Sequence, residues 1–407
     1  MIALSGADIV LPDLVVYGGS IVIDRGRIVA IESRAMDPGA AGMTVTDFSN
    51  HVIVPGFVDV HIHGIEGIDV LDGPGSVADV ARRLPKYGVT AFCPTSVACT
   101  PQKLRSMLTA IAEARSAPAR RASRVLPAHL ESNFINPHWN GAQPAACLRT
   151  PRGAFGASGA SGAFGASGAS GAGDFSAREI TAAIETQTAS VAIVTLAPEL
   201  DGGLDLVRHL ISLGHRVSIG HSGATYDEAR AAIELGAHHA THLFNRMSSI
   251  TSRSPGVVGA VLESDAVAAE IICDGHHVHP SLVAMAIRLK SASRLMAITD
   301  ATAVAGLPAG SRARLGDQAI IAGERTAVLE DGTLAGSILT MDGAFRMLVT
   351  TMRIALPDAA RMCATTPAAA VGAAESGSIA PGKWADLAVL SRNLQVQQTF
   401  VAGEPAL

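Results

Sequence analysis

Eight strand-like runs, several of them separated by segments of helical period, constrain this chain more than any other feature. They fall at Phe57–Ile62, Val89–Pro94, Val125–Leu130, Val191–Leu196, Val217–Gly220, His239–Leu243, Glu270–Cys273 and Leu295–Thr299. Between them lie stretches such as Ala229–Leu235 and Leu282–Leu289, apolar at helical spacing. Alternating strands and helices call for a parallel sheet, and eight such units predict a closed TIM-type (β/α)8 barrel. The chain has 407 residues, more than the roughly 250 such a barrel needs. The surplus lies at the ends. Residues 1–54 alternate apolar and polar side chains, with turns at Gly18-Gly19 and Asp24-Arg25-Gly26, and residues 375–407 have the same character. We therefore expect an α/β fold: a barrel over 55–374 and a small β-sandwich domain formed by both termini, 1–54 plus 375–407.

One segment breaks the alternation. GAFGASGAS occurs twice in tandem, at 153–161 and 162–170, inside a Gly/Ala/Ser-rich insert spanning 153–173. Such residues bury too little surface to offset the entropy of ordering them, so a flexible loop is expected. It precedes a helix whose N-cap is Asp174 or Ser176. A lid over the barrel mouth is one reading. The perfect duplication and the absence of reactive groups favour a neutral expansion.

Composition narrows the partners. The 31 basic and 36 acidic residues leave a net charge of −5, which argues against a nucleic-acid surface. No apolar run reaches the roughly 18 residues of a membrane span, and the first residues lack a basic leader pattern. Five cysteines, odd in number and without CxxC spacing, suit a reducing compartment. A cytoplasmic protein with neither membrane nor nucleic acid as partner is expected.

The chemistry gathers at the strand ends. The first strand ends in His61-Ile62-His63, the third in His129-Leu130-Glu131, the fifth in Gly220-His221-Ser222, the sixth in Thr241-His242-Leu243 and the eighth in Thr299-Asp300-Ala301. Strand alternation points His61 and His63 to one side, so the pair can grip one ion. In a closed barrel all five ends share one face. A lone histidine is more often structural; five ligand-type clusters in register predict a metal site. None of the four lysines ends a predicted strand, so a carboxylated lysine bridge is excluded and Glu131 is the available anionic ligand. His61 and His63 would hold one ion; Glu131, His221 and His242 another, or share it. Mixed nitrogen and oxygen ligation suits Zn²⁺, with Fe²⁺, Co²⁺ or Mn²⁺ as alternatives. Asp300 beside the metal can take a proton from water and return it to a leaving nitrogen, or serve as a further ligand.

The motifs PGFVDVHIHG, HLESNFINP, IGHSGATYDEA, THLFNRM, DGHHVHP, ITDATA, LAGSILTMDGAFR and GSIAPGKWADLAVL, in that order, resemble the N-acetylglucosamine-6-phosphate deacetylases of the amidohydrolase superfamily. The resemblance covers nearly the whole chain except the insert. It implies a metal-dependent homodimer that hydrolyses the N-acetyl group of a hexosamine 6-phosphate. By motif, it implies Glu131, His221 and His242 as main metal ligands, His61 and His63 as a second metal site, and Asp300 as general acid and base. It implies His277 as a substrate contact, Arg253 as a phosphate ligand lent to the neighbouring subunit, and contacts around Asn245 and Arg246. Gln143 is either a sugar contact or a loop-stabilising amide. Two departures bear on the sugar. Ser132-Asn133 replaces Gly-Pro after the glutamate, and Arg246 replaces a small residue. They leave the galacto epimer open as the alternative substrate. Other amidohydrolase activities, such as an aminoacylase, a cyclic-amide hydrolase or a deaminase, would not need both Arg253 and His277. A dead-barrel scaffold would have lost ligands or Asp300.

Overall fold

The computed structural model describes residues 1–37, 39, 42–155 and 174–406. Of the expected insert, residues 153–155 are described, with Pro151–Ala154 in a short 3-10 turn; residues 156–173 lie outside the described residues. Eight parallel strands form the barrel: β1 (Phe57–Ile62), β2 (Val89–Ser96), β3 (Ala128–Glu131), β4 (Val191–Leu196), β5 (Arg216–Ile219), β6 (His239–Ala240), β7 (Ala268–Ile272) and β8 (Leu295–Ile298). Ladders run from β1 through to β8. Closure is made past the end of β8, where Ile62 bridges Ala301 and the Asp300 amide donates to the His61 carbonyl at 2.9 Å. Strands β1 to β4 are buried along their whole length, as parallel strands covered on both faces must be.

Two expected strands come out shorter. The third is split into Arg124–Val125 and β3, because Pro127 interrupts it and has no N–H for a ladder bond. The sixth stops at Ala240, because His242 and Phe244 take φ values of 31° and 79° that no strand tolerates.

A helix follows each strand: α1 (Ser76–Arg83), α2 (Pro101–Ser116), α3 (Ala177–Thr186), α4 (Gly203–Ser212), α5 (Tyr226–Glu234), α6 (Gly256–Glu263), α7 (Pro280–Lys290) and α8 (Met341–Arg346). Their starts follow from local chemistry. Ser176 with Glu179 and Thr225 with Glu228 form reciprocal capping boxes on α3 and α5. Thr100 accepts from the Lys103 amide ahead of Pro101 on α2. Between β8 and α8 a three-stranded excursion, Arg312–Leu315, Gln318–Ala322 and Ala327–Leu329, folds back toward the barrel mouth.

Both termini join one mixed sheet of eight strands. Leu387–Leu390 runs antiparallel to Val52–Pro55, and Ile2–Val10 lies on the other side of that strand. Leu4, Ile21, Ile53, Leu387 and Val389 pack in a core of their own. Val52–Pro55 passes through Gly56 straight into β1; a Cβ there would run into Thr90. The terminal sheet therefore anchors the strand that carries His61. All five cysteines are buried free thiols. No helix among the described residues is long and apolar enough to cross a membrane.

Candidate active site

The C-terminal ends of β1, β3, β5, β6 and β8 bring their polar residues to one cleft. His63, Glu131, Gln143, His221, His242 and Asp300 are buried in its floor; Asn245, Arg246 and His277 line it with greater exposure. Glu131 is the hub. Its Oε1 lies 2.8 Å from His221 Nε2 and 2.9 Å from His242 Nε2, and its Oε2 lies 3.5 Å from His63 Nε2. Gln143 steadies that second oxygen: its amide donates to Oε2, while its own carbonyl accepts from the Ala98 amide at 2.7 Å. Asp300 Oδ1 lies 3.1 Å from His63 Nε2 and 3.4 Å from His61 Nε2.

The donor set fits a divalent metal. The His221 and His242 Nε2 atoms are 3.0 Å apart, and those of His61 and His63 are 3.3 Å apart. Two imidazole lone pairs that close repel unless a cation lies between them. Within each of the groups His61–His63–Glu131 and Glu131–His221–His242, the ligating atoms all fall within 4.8 Å of one another. Without metal, protons answer the same field. Burial works against charging His63 and His242, but hydrogen bonds to Asp300 and Glu131 respectively outweigh it and hold both near pH 9. Burial would also raise Glu131, yet His221 and His242 hold it well below the usual carboxylate range. Burial keeps His61 neutral, with a pKa lowered to about 4 against the pull of Asp300 and Glu131.

Three of these side chains are aimed by backbone. His221, His242 and Asp300 sit at φ 48°, 31° and 50°, a region that costs a non-glycine residue about 1–3 kcal/mol. Loop backbone holds them there: the Asn136 amide donates to the His221 carbonyl at 3.0 Å, the Asn245 amide to that of His242 at 2.9 Å and the Ser337 amide to that of Asp300 at 2.7 Å. Gly220 makes room for this turn, since a Cβ there would lie 2.7 Å from Thr241 Cβ and 2.8 Å from Thr195 Cγ2.

The sequence reading missed the layer beneath. Glu270 on β7 is wholly buried, with Oε2 2.9 Å from His61 Nδ1 and Oε1 3.4 Å from His129 Nδ1. Burial pushes it up to about 7, with His129 and His242 pulling the other way. A proton shared on the Nδ1 side of His61 leaves its Nε2 lone pair facing the cleft. Asp59, also buried, accepts from the Thr299 hydroxyl at 2.5 Å and so fastens β1 to the strand end that carries Asp300. The signal was present: a carboxylate inside each of two otherwise apolar runs, AAEII and FVDV.

Among the more exposed groups, His277 Nδ1 lies 2.6 Å from Asp274 Oδ2, and Asp274 Oδ1 accepts the His276 and His277 amides at 2.8 Å. Burial opposes a charge on His277, but Asp274 raises its pKa, and His277 in turn lowers that of Asp274 against burial. Arg253 is not brought to the cleft of its own chain. It is exposed in a turn closed by the Thr251 amide on the Ser254 carbonyl. Asn133, expected beside the substrate, is used elsewhere: its buried amide donates to the Cys99 and Cys147 carbonyls, both at 2.7 Å. His279 caps α7 by accepting from the Ser281 amide.

A closed parallel barrel with histidines and carboxylates converging at its strand C-termini defines a barrel hydrolase of the metal-dependent class. The chain belongs to the amidohydrolase family, whose family model matches residues 52–406. It is 32% identical over 407 residues to an N-acetylglucosamine-6-phosphate deacetylase of Bacillus subtilis (strain 168), covering 98% of this chain and 95% of that one. It is also 32% identical over 368 residues to an N-acetylgalactosamine-6-phosphate deacetylase of Escherichia coli O157:H7, covering 89% and 90%. A crystal structure of N-acetylglucosamine-6-phosphate deacetylase from Pasteurella multocida superposes with a TM-score of 0.86 at 28% identity, covering 99% and 98%.

Proposed function

We propose that this chain hydrolyses the N-acetyl group of N-acetylglucosamine 6-phosphate, releasing glucosamine 6-phosphate and acetate. The observation that carries the reading is the convergence of Asp300 on His61 and His63, beside the Glu131 that also meets His221 and His242, in a cleft also lined by His277 and Arg246. Relatives about a third identical over nearly the full chain act on such substrates by name.

Glu131, His221 and His242 would hold one ion and His61 with His63 a second, Zn²⁺ best suited and Fe²⁺, Co²⁺ or Mn²⁺ the alternatives. A divalent ion there supplies Lewis acidity to the amide carbonyl and lowers the pKa of attacking water from about 15.7 to about 7. Asp300 does the proton work. Burial would raise its pKa, but His61 and His63 hold it low, so it is ionised at neutral pH. It accepts the proton of the attacking water and delivers it to the leaving nitrogen. His277, whose pKa Asp274 raises against burial, faces the anionic end of the sugar with Asn245. Arg253, exposed on its loop, suits a homodimer in which each subunit lends it to the neighbouring cleft. Catalysis belongs to the barrel, residues 55–374, with 1–54 and 375–407 as its β-domain and the cytoplasm as its compartment.

The test is acetate release by metal-loaded protein from N-acetylglucosamine 6-phosphate, its galacto epimer and the unphosphorylated sugar. Turnover of the gluco phosphate above the other two supports the proposal; acetate from neither phosphate overturns it. The galacto epimer is the second reading, favoured by the Escherichia coli relative.

A further inference from the structure

Among the described residues, one arginine or lysine lines the cleft, and it is Arg246. Several other arginines are committed: Arg27 to Glu375, Arg120 to Glu404, Arg124 to Asp386, Arg152 to Asp201 and Arg361 to Asp13. The Arg246 guanidinium has no hydrogen-bond or ion-pair partner among the described residues. A cation left unpaired on a cleft wall is available to an anionic ligand.

Its placement is built by the backbone. The Asn245 amide donates to the His242 carbonyl at 2.9 Å, and the Ser222 amide to the Arg246 carbonyl at 3.0 Å. The residue thus hangs between the ends of β5 and β6, one turn from two floor histidines. Its φ of 50° is rare for a β-carbon residue. The side chain lies along Gly141, where a Cβ would come within 2.8 Å of Arg246 Nε and 3.4 Å of Cδ and Cζ. Gly141 belongs to the same loop as Gln143, which steadies Glu131. Glycine at 141 leaves the guanidinium a flat seat on the cleft side of that loop.

We propose that the Arg246 side chain is a specificity-determining group that binds the substrate's phosphate from within the same subunit, so that phosphate recognition does not rest on a borrowed Arg253 alone. This rests on the phosphosugar reading above. A planar, five-donor guanidinium can meet two phosphate oxygens with a pair of parallel hydrogen bonds, a fixed geometry that the point charge of a lysine does not impose.

The experiment compares zinc-loaded wild type, Arg246→Ala and Arg246→Lys. Steady-state kinetics are run on N-acetylglucosamine 6-phosphate and on N-acetylglucosamine. Binding of inorganic phosphate is measured by calorimetry. Loss of one charge-assisted contact predicts a KM for the phosphorylated sugar raised roughly 10- to 150-fold in Arg246→Ala. The kcat should stay within a few-fold, KM for the unphosphorylated sugar should not change, and phosphate binding should weaken in parallel. Arg246→Lys should recover part of the loss. Equal losses on both sugars, or unchanged KM and phosphate binding in Arg246→Ala, would overturn the inference. If wild type releases no acetate from either phosphorylated epimer, the proposed activity falls by itself. Phosphate binding then still decides on Arg246: weaker in Arg246→Ala supports it, equal overturns it.

Discussion

The floor and the more exposed wall of the cleft are built on opposite terms. On the floor, His61, His63, Glu131, His221 and His242 are buried, and four of them are tied to further groups: Glu270 behind His61, the Thr95 carbonyl behind His63, the Trp139 carbonyl behind His221, Gln143 behind Glu131. On the wall, Arg246 is exposed and unpaired among the described residues, as is Arg253 on its loop beyond. The floor is ordered by folding, before any ligand arrives. The wall keeps its cations free for the ligand to order. Substitutions in the floor should therefore act on metal content and kcat, and those on the wall on KM.

The strongest test of that contrast is removal of the metal. Chelation should abolish acetate release and added Zn²⁺ should restore it; full activity in protein shown to be metal-free would break the assignment of the floor. Next in size is Asp300→Asn. It should retain metal and fold but lose at least about 10²-fold in kcat, the usual scale for a general acid–base group. Loss of metal instead would make Asp300 a ligand first. Glu270→Gln should weaken binding at the His61/His63 pair by about 10- to 100-fold, the range for a carboxylate behind a ligating histidine. Metal titration followed by elemental analysis reads this directly, and an unchanged two-ion stoichiometry at limiting metal would remove Glu270 from that role.

On the loop beyond the wall, Arg253→Ala should raise KM for the phosphorylated sugar by roughly 10-fold or more with little change in kcat. Mixed with Asp300→Asn chains, the hybrid dimer should regain wild-type KM at one site. Hybrids that keep the weak KM would place Arg253 in its own subunit. The smallest effect is on pH. His277 has a raised pKa, so its positive charge persists above the ordinary imidazole value of about 6.5 and is lost as pH rises through the raised one. KM for the phosphate ester should therefore climb on the alkaline side. Asp274→Asn should move that climb to lower pH by removing the carboxylate that holds the proton. An unmoved profile would show that His277 does not meet the phosphate in its charged form.

Much of the floor was legible in the chain because it lies on strands. HIH, HLE, GHS, THL and TDA each end a strand-like run, and a barrel sends every such run's C-terminal end to one face. Glu270 and Asp59 were passed over because they stand inside their strands, where a polar residue reads as noise in an apolar pattern. Asn133 misled for the opposite reason. It follows a ligand in sequence, yet its amide turns away to two loop carbonyls.

By itself, then, the sequence determined the eight βα units, the pairing of both termini in a β-domain and the residue types at each strand end. These follow from local period and burial. Only the tertiary structure decided which atoms meet. His63 and Asp300 are 237 positions apart and 3.1 Å from each other. The left-handed turns at His221, His242 and Asp300 aim side chains in directions that no periodicity encodes. Whether an arginine faces the cleft, as Arg246 does, or stands out on a loop, as Arg253 does, depends on loop paths held by contacts with distant strands. A guanidinium's reach is local, but the cleft it reaches into is assembled from the whole chain.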